Sequence, residues 1–229
     1  FTKAAAELFI TQPAISKHIQ ELEEEYKIKL FERNGSKIAL TNAGEVLLKH
    51  TKSIFEIYRE IDFDMSTFIN ERKGLLRLGA STTISQYIIP PLLARFHQKL
   101  ESVKVNLLNG NTEQIENALL NKEIEIGIVE GQSKNQSIKY TQFIRDELVL
   151  VCNSNNPLVR KKEITPDDLK SLNFLVRERG SGTLEVIEYA LKPFHIKIDQ
   201  LQIEMQLGST ESIKSYLMNS NCVAFMSIH

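Results

Sequence analysis

The chain has 229 residues, 42% of them hydrophobic, so it can form more than one domain with a sizeable core. No apolar run approaches the roughly 18 residues of a membrane span, and no charged start precedes an apolar segment, so neither a membrane span nor a secretory signal is expected. Cys152 and Cys222 are the only cysteines, too few for a disulfide framework, which predicts a cytoplasmic protein. Residues 1–73 carry 11 Lys and Arg against 12 Asp and Glu, and residues 74–229 carry 17 of each, so net charge predicts no strongly basic region.

The chain begins with two predicted helices. Thr2 is the expected N-cap of a helix from Lys3 to about Phe9, and Thr11 is that of a second helix with Pro13 in its first turn. The alanines at 4–6 permit the close approach that a helix-turn-helix corner requires. The sequence therefore predicts a tight helix-turn-helix.

The polarity of the second helix indicates how it would meet DNA. Its start offers free N–H groups and the positive end of the helix dipole, whereas its acidic end at 21–25 would be repelled by phosphate. A DNA-reading helix would therefore enter the major groove by its N-terminal half. An ordinary amphipathic helix with a polar outer face explains this segment alone equally well.

A short hairpin follows. Residues 29–33 and 37–40 flank Asn34-Gly35-Ser36, and Asn-Gly is a strong hairpin signal. A hairpin directly after a helix-turn-helix is a wing. Arg33 and Lys37 stand beside its tip, where they are predicted to hold DNA phosphates.

A long helix is predicted next, capped by Thr41 and ending at about Asn70. At roughly 1.5 Å per residue it would be about 43 Å long. A seven-residue apolar repeat predicts a coiled-coil-like dimer seam. A second copy of the chain is the predicted partner of this seam, because the small wing domain cannot cover it. The seam residues are Leu47, Ile54, Ile61 and Phe68.

The run from Phe1 through Thr41 contains F-T-K-A-A-A-E-L, T-Q-P-A-I-S-K-H-I, L-E-E-E, K-L-F-E-R and L-T-N-A-G-E, and it resembles the LysR-type transcriptional regulators. The resemblance implies that the helix starting at Gln12 is the recognition helix and that the family's first helix precedes Phe1 and is missing here. It implies double-stranded DNA and a small-molecule effector as partners, and it adds RNA polymerase and a tetrameric state as further expectations. DNA contact is implied for Gln12, Pro13, Ser16 and Lys17.

The remainder alternates apolar runs with helical patterns, which predicts an α/β fold with mostly parallel sheets. A single sheet is one alternative. The other is two lobes, with the helix-free stretch 138–153 crossing between them, and the resemblance implies this second arrangement, similar to type 2 periplasmic binding proteins. Strands are predicted at 75–80, 103–108, 125–129, 148–152, 174–176 and 201–207, and helices at 84–100, 112–121, 166–172, 183–191 and 211–219.

Three regions are predicted. Residues 1–41 form a winged helix-turn-helix, residues 42–73 a dimerising linker helix, and residues 74–229 an effector-binding domain. The second lobe of that domain is expected at about 153–229, with its C-terminal part missing. A solute-binding protein would share the two lobes, but the wing and the linker helix count against that class.

Ligands in open α/β sheets bind beyond the carboxyl ends of the strands. Hydroxyl-bearing and small residues follow three of the predicted strands, and a glutamate with a glycine follows a fourth. Hydroxyls and free N–H groups at helix starts suit an anion or a carboxylate, although ordinary helix N-caps have the same composition. The predicted effector-binding residues are Ser81, Thr82, Thr83, Glu130, Gly131, Arg177, Ser181, Gly182, Thr183, Ser209 and Thr210.

The runs G-A-S-T-T-I, V-E-G, R-E-R-G-S-G-T and L-G-S-T-E are most similar to LysR regulators of sulfur and inorganic-anion metabolism, which makes sulfur oxyanions the first expected effectors and organic carboxylates the second. The five histidines lack zinc-site spacing, and Ser181 has no identifiable base, so neither a cofactor nor a metal nor an enzyme is expected. Cys152 and Cys222 are predicted to be small core residues rather than a redox switch.

Overall fold

The computed structural model describes residues 1–34, 37–68, 74–132 and 134–229, and its contacts divide the chain into two units between residues 70 and 71. Gly35 and Ser36 at the hairpin tip, and the predicted helix end at Asn70, lie outside the described residues. The first unit contains helix α1 (Thr2–Glu7), helix α2 (Gln12–Tyr26), strands β1 (Phe31–Asn34) and β2 (Lys37–Leu40), and helix α3 (Asn42–Phe68).

The ends of the first two helices follow from local backbone chemistry. Phe1 is the N-cap of α1, so the prediction that Thr2 caps this helix is wrong: Thr2 lies inside it. The helix ends at Glu7, short of the predicted end, and Phe9 adopts a left-handed conformation with φ 54°. Thr11 caps α2 as predicted, because its Oγ1 accepts a hydrogen bond from the Ala14 amide at 3.4 Å.

The long helix α3 spans 27 residues. Thr41 caps it as predicted, since its Oγ1 accepts from the Gly44 amide at 3.1 Å. Gly44 is needed there, because a Cβ would collide with the carbonyl oxygen of Leu30. The seam residues Ile54, Ile61 and Phe68 are 66%, 50% and 81% exposed, and Leu47 is half-buried.

The first lobe of the second unit is built on a parallel three-stranded sheet. Its order is β4-β3-β5, and its core includes Leu78, Ala80 and Ile84. The helix predicted at 84–100 is a π-helical turn followed by an α-helix. The elements are β3 (Gly74–Ser81), the π-turn (Ile84–Ile88), α4 (Ile89–Lys99), β4 (Val103–Gly110), α5 (Thr112–Leu120) and β5 (Ile126–Ile128).

The second lobe has its own sheet, in the order β6-β9-β7-β8, so the single-sheet alternative is wrong. Strand β9 was not predicted; it pairs antiparallel with β6 and parallel with β7. Because β6 belongs to this sheet, the lobe begins before the predicted residue 153. The elements are β6 (Leu148–Cys152), β7 (Asn173–Arg177), α6 (Gly182–Leu191), β8 (Gln202–Leu207), α7 (Thr210–Leu217) and β9 (Val223–Ser227).

Both faces of this second sheet are packed. The neighbours Phe174 and Leu175 point to opposite faces of β7 and enter separate cores. The helix predicted at 166–172 is reduced to a 3₁₀ turn at Asp168–Ser171. Cys222 is buried in one core and Cys152 packs beside the other, in keeping with the predicted small core residues.

Candidate functional site

The start of α2 presents a polar exposed surface. Gln12, Pro13 and Lys17 are exposed, whereas Ser16 is half-buried. The Gln12 side-chain amide donates to Ser16 Oγ at 2.7 Å. Lys17 Nζ lies 3.7 Å from a carboxylate oxygen of Glu21, and its side chain is 76% exposed. A DNA groove could therefore contact these side chains at the start of α2 without any change in the core.

The wing brings two basic positions to one end of the hairpin. In the β1–β2 register Asn34 pairs with Lys37, and Arg33 pairs with Ile38. Arg33 and Lys37 therefore lie beside the tip, as the sequence predicts. Their side chains fall outside the described part of the chain.

Glu23 connects α2 to the wing, a role that sequence reasoning missed. Its Oε1 accepts hydrogen bonds from the amides of Leu30 and Phe31 at 2.9 and 3.2 Å, and Lys29 Nζ lies 2.5 Å from its Oε2. The hydrogen bonds from the Lys29 side chain and the Leu30 amide hold the pKa of this carboxyl below its ordinary value. Within an acidic run, no local signal distinguishes Glu23 from its neighbours.

In the second unit, three buried hydroxyl residues lie at the carboxyl end of strand β3. Ser81, Thr82 and Thr83 are all buried, and β3 pairs with β5 through Ala80 and Ile128. Because the two strands are parallel, Ser81 at the end of β3 and Glu130, two residues after β5, lie at the same edge of the sheet. This edge carries the predicted effector residues of the first lobe.

Four predicted residues from the two lobes form one polar cluster. Thr183 Oγ1 donates to Glu130 Oε2 at 2.8 Å. The Thr83 hydroxyl also hydrogen-bonds the Glu130 carboxyl, and Thr83 Oγ1 lies 3.4 Å from Thr210 Oγ1. Glu130 and Thr83 come from the first lobe, and Thr183 and Thr210 from the second. The fold thus assembles three separate strand ends around one carboxyl group.

Burial raises the pKa of the Glu130 carboxyl above its ordinary value. The hydrogen bonds from Thr183 and Thr83 and the positive charge of Arg177 act in the opposite direction without cancelling the effect of burial. Desolvation disfavours the charged form of a carboxyl group. Glu130 therefore holds a proton at a higher pH than an exposed glutamate does.

Three buried polar atoms within the described residues have no hydrogen-bond partner: Ser81 Oγ, Gln86 Oε1 and Glu130 Oε1. Leaving such an atom unsatisfied costs about 1–3 kcal/mol, so each one can gain energy from a polar ligand. Ser81 is only 3% exposed. Gln86, which was not predicted, lies in the π-turn, and such turns are common at functional sites.

Arg177 is buried, and its charge is already paired. Its Nε and Nη2 donate to the two carboxylate oxygens of Glu178, each at 2.9 Å, and Nη2 also lies 3.4 Å from the Gly208 carbonyl oxygen. Burial raises the pKa of Glu178. The hydrogen bonds from Arg177, the Glu178 backbone amide and Asn111, together with the positive charge of Arg177, outweigh burial and hold that pKa below its ordinary value. Much of the countercharge that Arg177 could offer an anion is therefore already neutralised by Glu178.

Of Ser181 and Ser209, which stand at predicted helix starts, only Ser209 uses its side chain to cap the helix. Ser209 Oγ accepts from the Ser212 amide at 3.1 Å, as an ordinary N-cap does. Among the described residues, Ser181 stands at the N-cap of α6 without a capping hydrogen bond from its side chain, although it is buried. Thr82 Oγ1 donates to the Gly110 carbonyl at 3.1 Å. Ser209 and Thr82 thus have structural partners.

The glycines allow the lobes to approach closely. A Cβ at Gly182 would collide with the Glu130 carbonyl oxygen, which also accepts from Thr112 Oγ1 at 2.9 Å. Gly131 adopts a positive φ of 132°, and a Cβ there would meet the Glu185 carboxylate. Thr112 is the first residue of α5, two positions after β4 ends. The same search for hydroxyl residues after strand ends could therefore have identified it.

A second set of contacts between the lobes was also missed. Tyr87, in the π-turn, donates to a carboxylate oxygen of Glu211 on α7. Lys214 Nζ lies 2.9 Å from the Tyr87 hydroxyl and 4.1 Å from the centre of its ring. These three residues lack a common sequence motif, because they come from separate segments.

Other site chemistry is limited in the part of the chain that the structure describes. There, no group of three or more His, Cys, Asp or Glu side chains is arranged to hold a metal ion. None of the helices described is long and apolar enough to cross a membrane.

The profile described as "LysR substrate binding domain" matches residues 70–229, and that of "Bacterial regulatory helix-turn-helix protein, lysR family" matches residues 1–45. The chain belongs to the LysR family. LysR proteins are transcriptional regulators and not enzymes, as the sequence predicts.

One curated relative is the HTH-type transcriptional regulator CysL of Bacillus subtilis. It is 29% identical over 227 residues, which cover 99% of this chain and 75% of CysL. The alignment therefore extends through both units. It supports the LysR assignment over the full length of the chain.

Two solved structures of LysR proteins are similar to this one. The CcmR regulatory domain of Synechocystis PCC6803, in complex with 2-PG, is 31% identical, with a TM-score of 0.61, over 69% of this chain and 74% of that one. Full-length CbnR in complex with its target DNA has a TM-score of 0.68 over 99% of this chain and 77% of that one, at 21% identity. These likenesses confirm the predicted fold of a helix-turn-helix joined to a domain similar to type 2 periplasmic binding proteins.

Proposed function

We propose that this LysR regulator binds operator DNA as a dimer and responds to a small anion held between the lobes of its second unit. Its DNA-contacting residues would be Gln12, Pro13, Ser16 and Lys17 on α2, with Arg33 and Lys37 on the wing. The orientation rests on the polar start and acidic end of α2, since phosphate favours the former and repels the latter. The CbnR–DNA complex supports the same use of the fold.

The dimer proposal rests on α3. Three of its four seam residues are at least half exposed within the chain, and a large apolar stripe on a helix requires a partner. A second copy supplies the same stripe by symmetry. The tetramer and contact with RNA polymerase remain predictions from the family, and the cytoplasmic location remains a prediction from the sequence composition.

The effector proposal rests on one observation: hydroxyl groups from both lobes converge on a buried site where Ser81 Oγ has no partner among the described residues. A ligand that received hydrogen bonds from both lobes would favour their closed arrangement, provided that it bound that arrangement more tightly than the open one. Sulfur oxyanions are the first candidates and organic carboxylates the second. The 2-PG in the CcmR complex supports a small-molecule effector and provides a further probe.

Titration calorimetry tests the effector site. Sulfate, sulfite, phosphate, 2-PG and small carboxylates are titrated into the wild-type chain and into a Ser81→Ala, Thr83→Ala variant. We expect at least one anion to bind and the variant to bind it at least tenfold more weakly, since lost hydrogen bonds to a charged group are worth about 1.5–3 kcal/mol each. A Thr141→Ala, Ser215→Ala variant removes two exposed hydroxyls and is the matched control. Unchanged affinity in the first variant would exclude this site.

An electrophoretic shift assay tests the DNA function. DNA from upstream of the protein's own gene is titrated with wild-type protein and with a Gln12→Ala, Lys17→Ala variant. We expect the wild-type protein to bind and the variant to lose operator preference. A wild-type protein that binds this DNA no better than an unrelated fragment would contradict the choice of operator region and weaken the proposed recognition surface.

A further inference from the structure

We infer that one proton enters the cleft together with the anionic effector and that the Glu130 carboxyl group shares it. The inference rests on the proposed effector site and specifies how that site selects its ligand. The reason is the position of the Glu130 carboxyl, which lies among the hydroxyl groups that would bind the anion. A deprotonated carboxylate would repel an anion at that place.

The hydrogen bonds of Glu130 indicate where the proton belongs. Its Oε2 accepts from Thr183, whereas its buried Oε1 has no partner among the described residues. An ionised carboxylate can only accept hydrogen bonds, whereas a protonated one has an O–H donor. A proton at Oε1, or on the facing ligand oxygen, would join the two acceptors and satisfy both.

The charges around the cleft leave the anion with little other compensation. Arg177 on β7 faces Glu130, but Glu178 already pairs with it. Asp146, on the segment that joins the lobes, adds negative charge near Glu130. Two further carboxylates approach the cleft glycines: Glu185 on α6 beside Gly131, and Glu113 on α5 beside Gly180. The cation of Lys214 on α7 is also paired, since its Nζ lies 3.3 Å from a carboxylate oxygen of Glu211. A proton is therefore the simplest compensating charge.

Burial prepares Glu130 for this role. Burial already raises the pKa of its carboxyl, and an incoming negative charge would raise that pKa further, so both effects favour the protonated form. Both lobes contribute to the surroundings of this carboxyl, since Thr83 belongs to the first lobe and Thr183 to the second. Closure around an anion would thus be linked to proton uptake.

Calorimetry with sulfate tests the inference, because sulfate itself takes up no proton near neutral pH. Wild-type protein is titrated in two buffers of different ionisation enthalpy, at neutral and mildly alkaline pH. We expect uptake that approaches one proton per sulfate, and an affinity that falls by up to about tenfold for each unit of rising pH. A Glu130→Gln variant should take up no proton. At the alkaline pH it should bind sulfate at least about tenfold more tightly than the wild-type protein does, because the negative charge of Glu130 is gone.

Glu188→Gln is the matched control, because it removes an exposed carboxylate from α6; it should behave as the wild type does. Sulfate binding without proton uptake and without pH dependence would overturn the inference, and so would weaker binding by the Glu130→Gln variant. In either case, if sulfate binding by the wild-type protein were still lost in the Ser81→Ala, Thr83→Ala variant, the proposed effector site would stand. If no anion bound, both proposals would fail. Should the variant not fold, the wild-type buffer comparison decides alone.

Discussion

Replacing Ile54 and Ile61 together by alanine is expected to convert a dimer of this protein into monomers. Both side chains lie on the exposed stripe of α3, 66% and 50% exposed, so within one chain they contribute little packing. Alanine has a higher helix propensity than isoleucine, and α3 itself should therefore remain intact. The substitution thus separates association from folding.

The magnitude follows from the exposed fractions. Complete burial of an isoleucine contributes about 1.5–3 kcal/mol, so covering the exposed part of each side chain contributes about 1–2 kcal/mol. Both residues occur in both copies, and the double substitution should therefore cost the dimer about 4–7 kcal/mol. Each 1.4 kcal/mol is about a tenfold change in affinity, so the dissociation constant should rise roughly a thousandfold or more.

Sedimentation velocity at micromolar protein measures the outcome, and circular dichroism checks the helix content. A Leu48→Ala, Phe55→Ala variant is the matched control, because these residues are also exposed and apolar but stand one position beyond the seam. It should remain dimeric. If the seam variant sedimented like the wild type, or if the control dissociated equally, the predicted seam would be wrong.

The remaining predictions concern the wing domain and the cleft. Gln12→Ala should change the preference among operator variants by about 1–3 kcal/mol per lost base contact, as measured by competition binding; unchanged relative affinities would contradict the orientation of α2. Lys37→Ala should instead weaken binding to all sequences alike and reduce the salt dependence, and an effect on only some operators would argue for base contact. Glu23→Gln should lower the melting temperature at neutral pH. The folded-state pKa of Glu23 is depressed, so its stabilisation is present above the ordinary value of 4.5 and is lost as the pH falls through the lower folded value; a difference that persisted in strong acid would refute this cause. Gly182→Ala should abolish anion binding in calorimetry, since its Cβ would displace the Glu130 carbonyl, and wild-type affinity would show that the lobes can yield there.

The local elements of this protein could be predicted because their signals lie within a few residues. Thr11 and Thr41 each cap a helix through the amide three residues later, so the cap appears in the sequence as a hydroxyl before a helical pattern. Strand ends followed by hydroxyls predicted where Thr83, Thr183 and Thr210 would converge. Parallel strands carry their carboxyl ends to one edge, and this geometry holds whatever the side chains are.

Other features depend on residues far apart in the chain. Strand β9 lies inside its sheet only because β6 and β7 flank it. Val223 of β9 pairs with Cys152 of β6 and with Phe174 of β7, which precede it by 71 and 49 residues. Glu23 stands in an acidic run, and only the folded wing places the amides of Leu30 and Phe31 within its reach.

The cleft shows most clearly which features the sequence alone cannot predict. In the sequence Arg177 is a cation at one strand end and Glu130 an acid at another, and nothing local indicates whether Arg177 points into the site or to solvent. The tertiary structure pairs Arg177 with Glu178 and buries Glu130 among hydroxyls from both lobes. Sequence patterns determine which groups reach the edge of a sheet. Which of them share hydrogen bonds, and which remain unpaired, depends on directions and distances of a few ångströms, and these arise only when the lobes pack together.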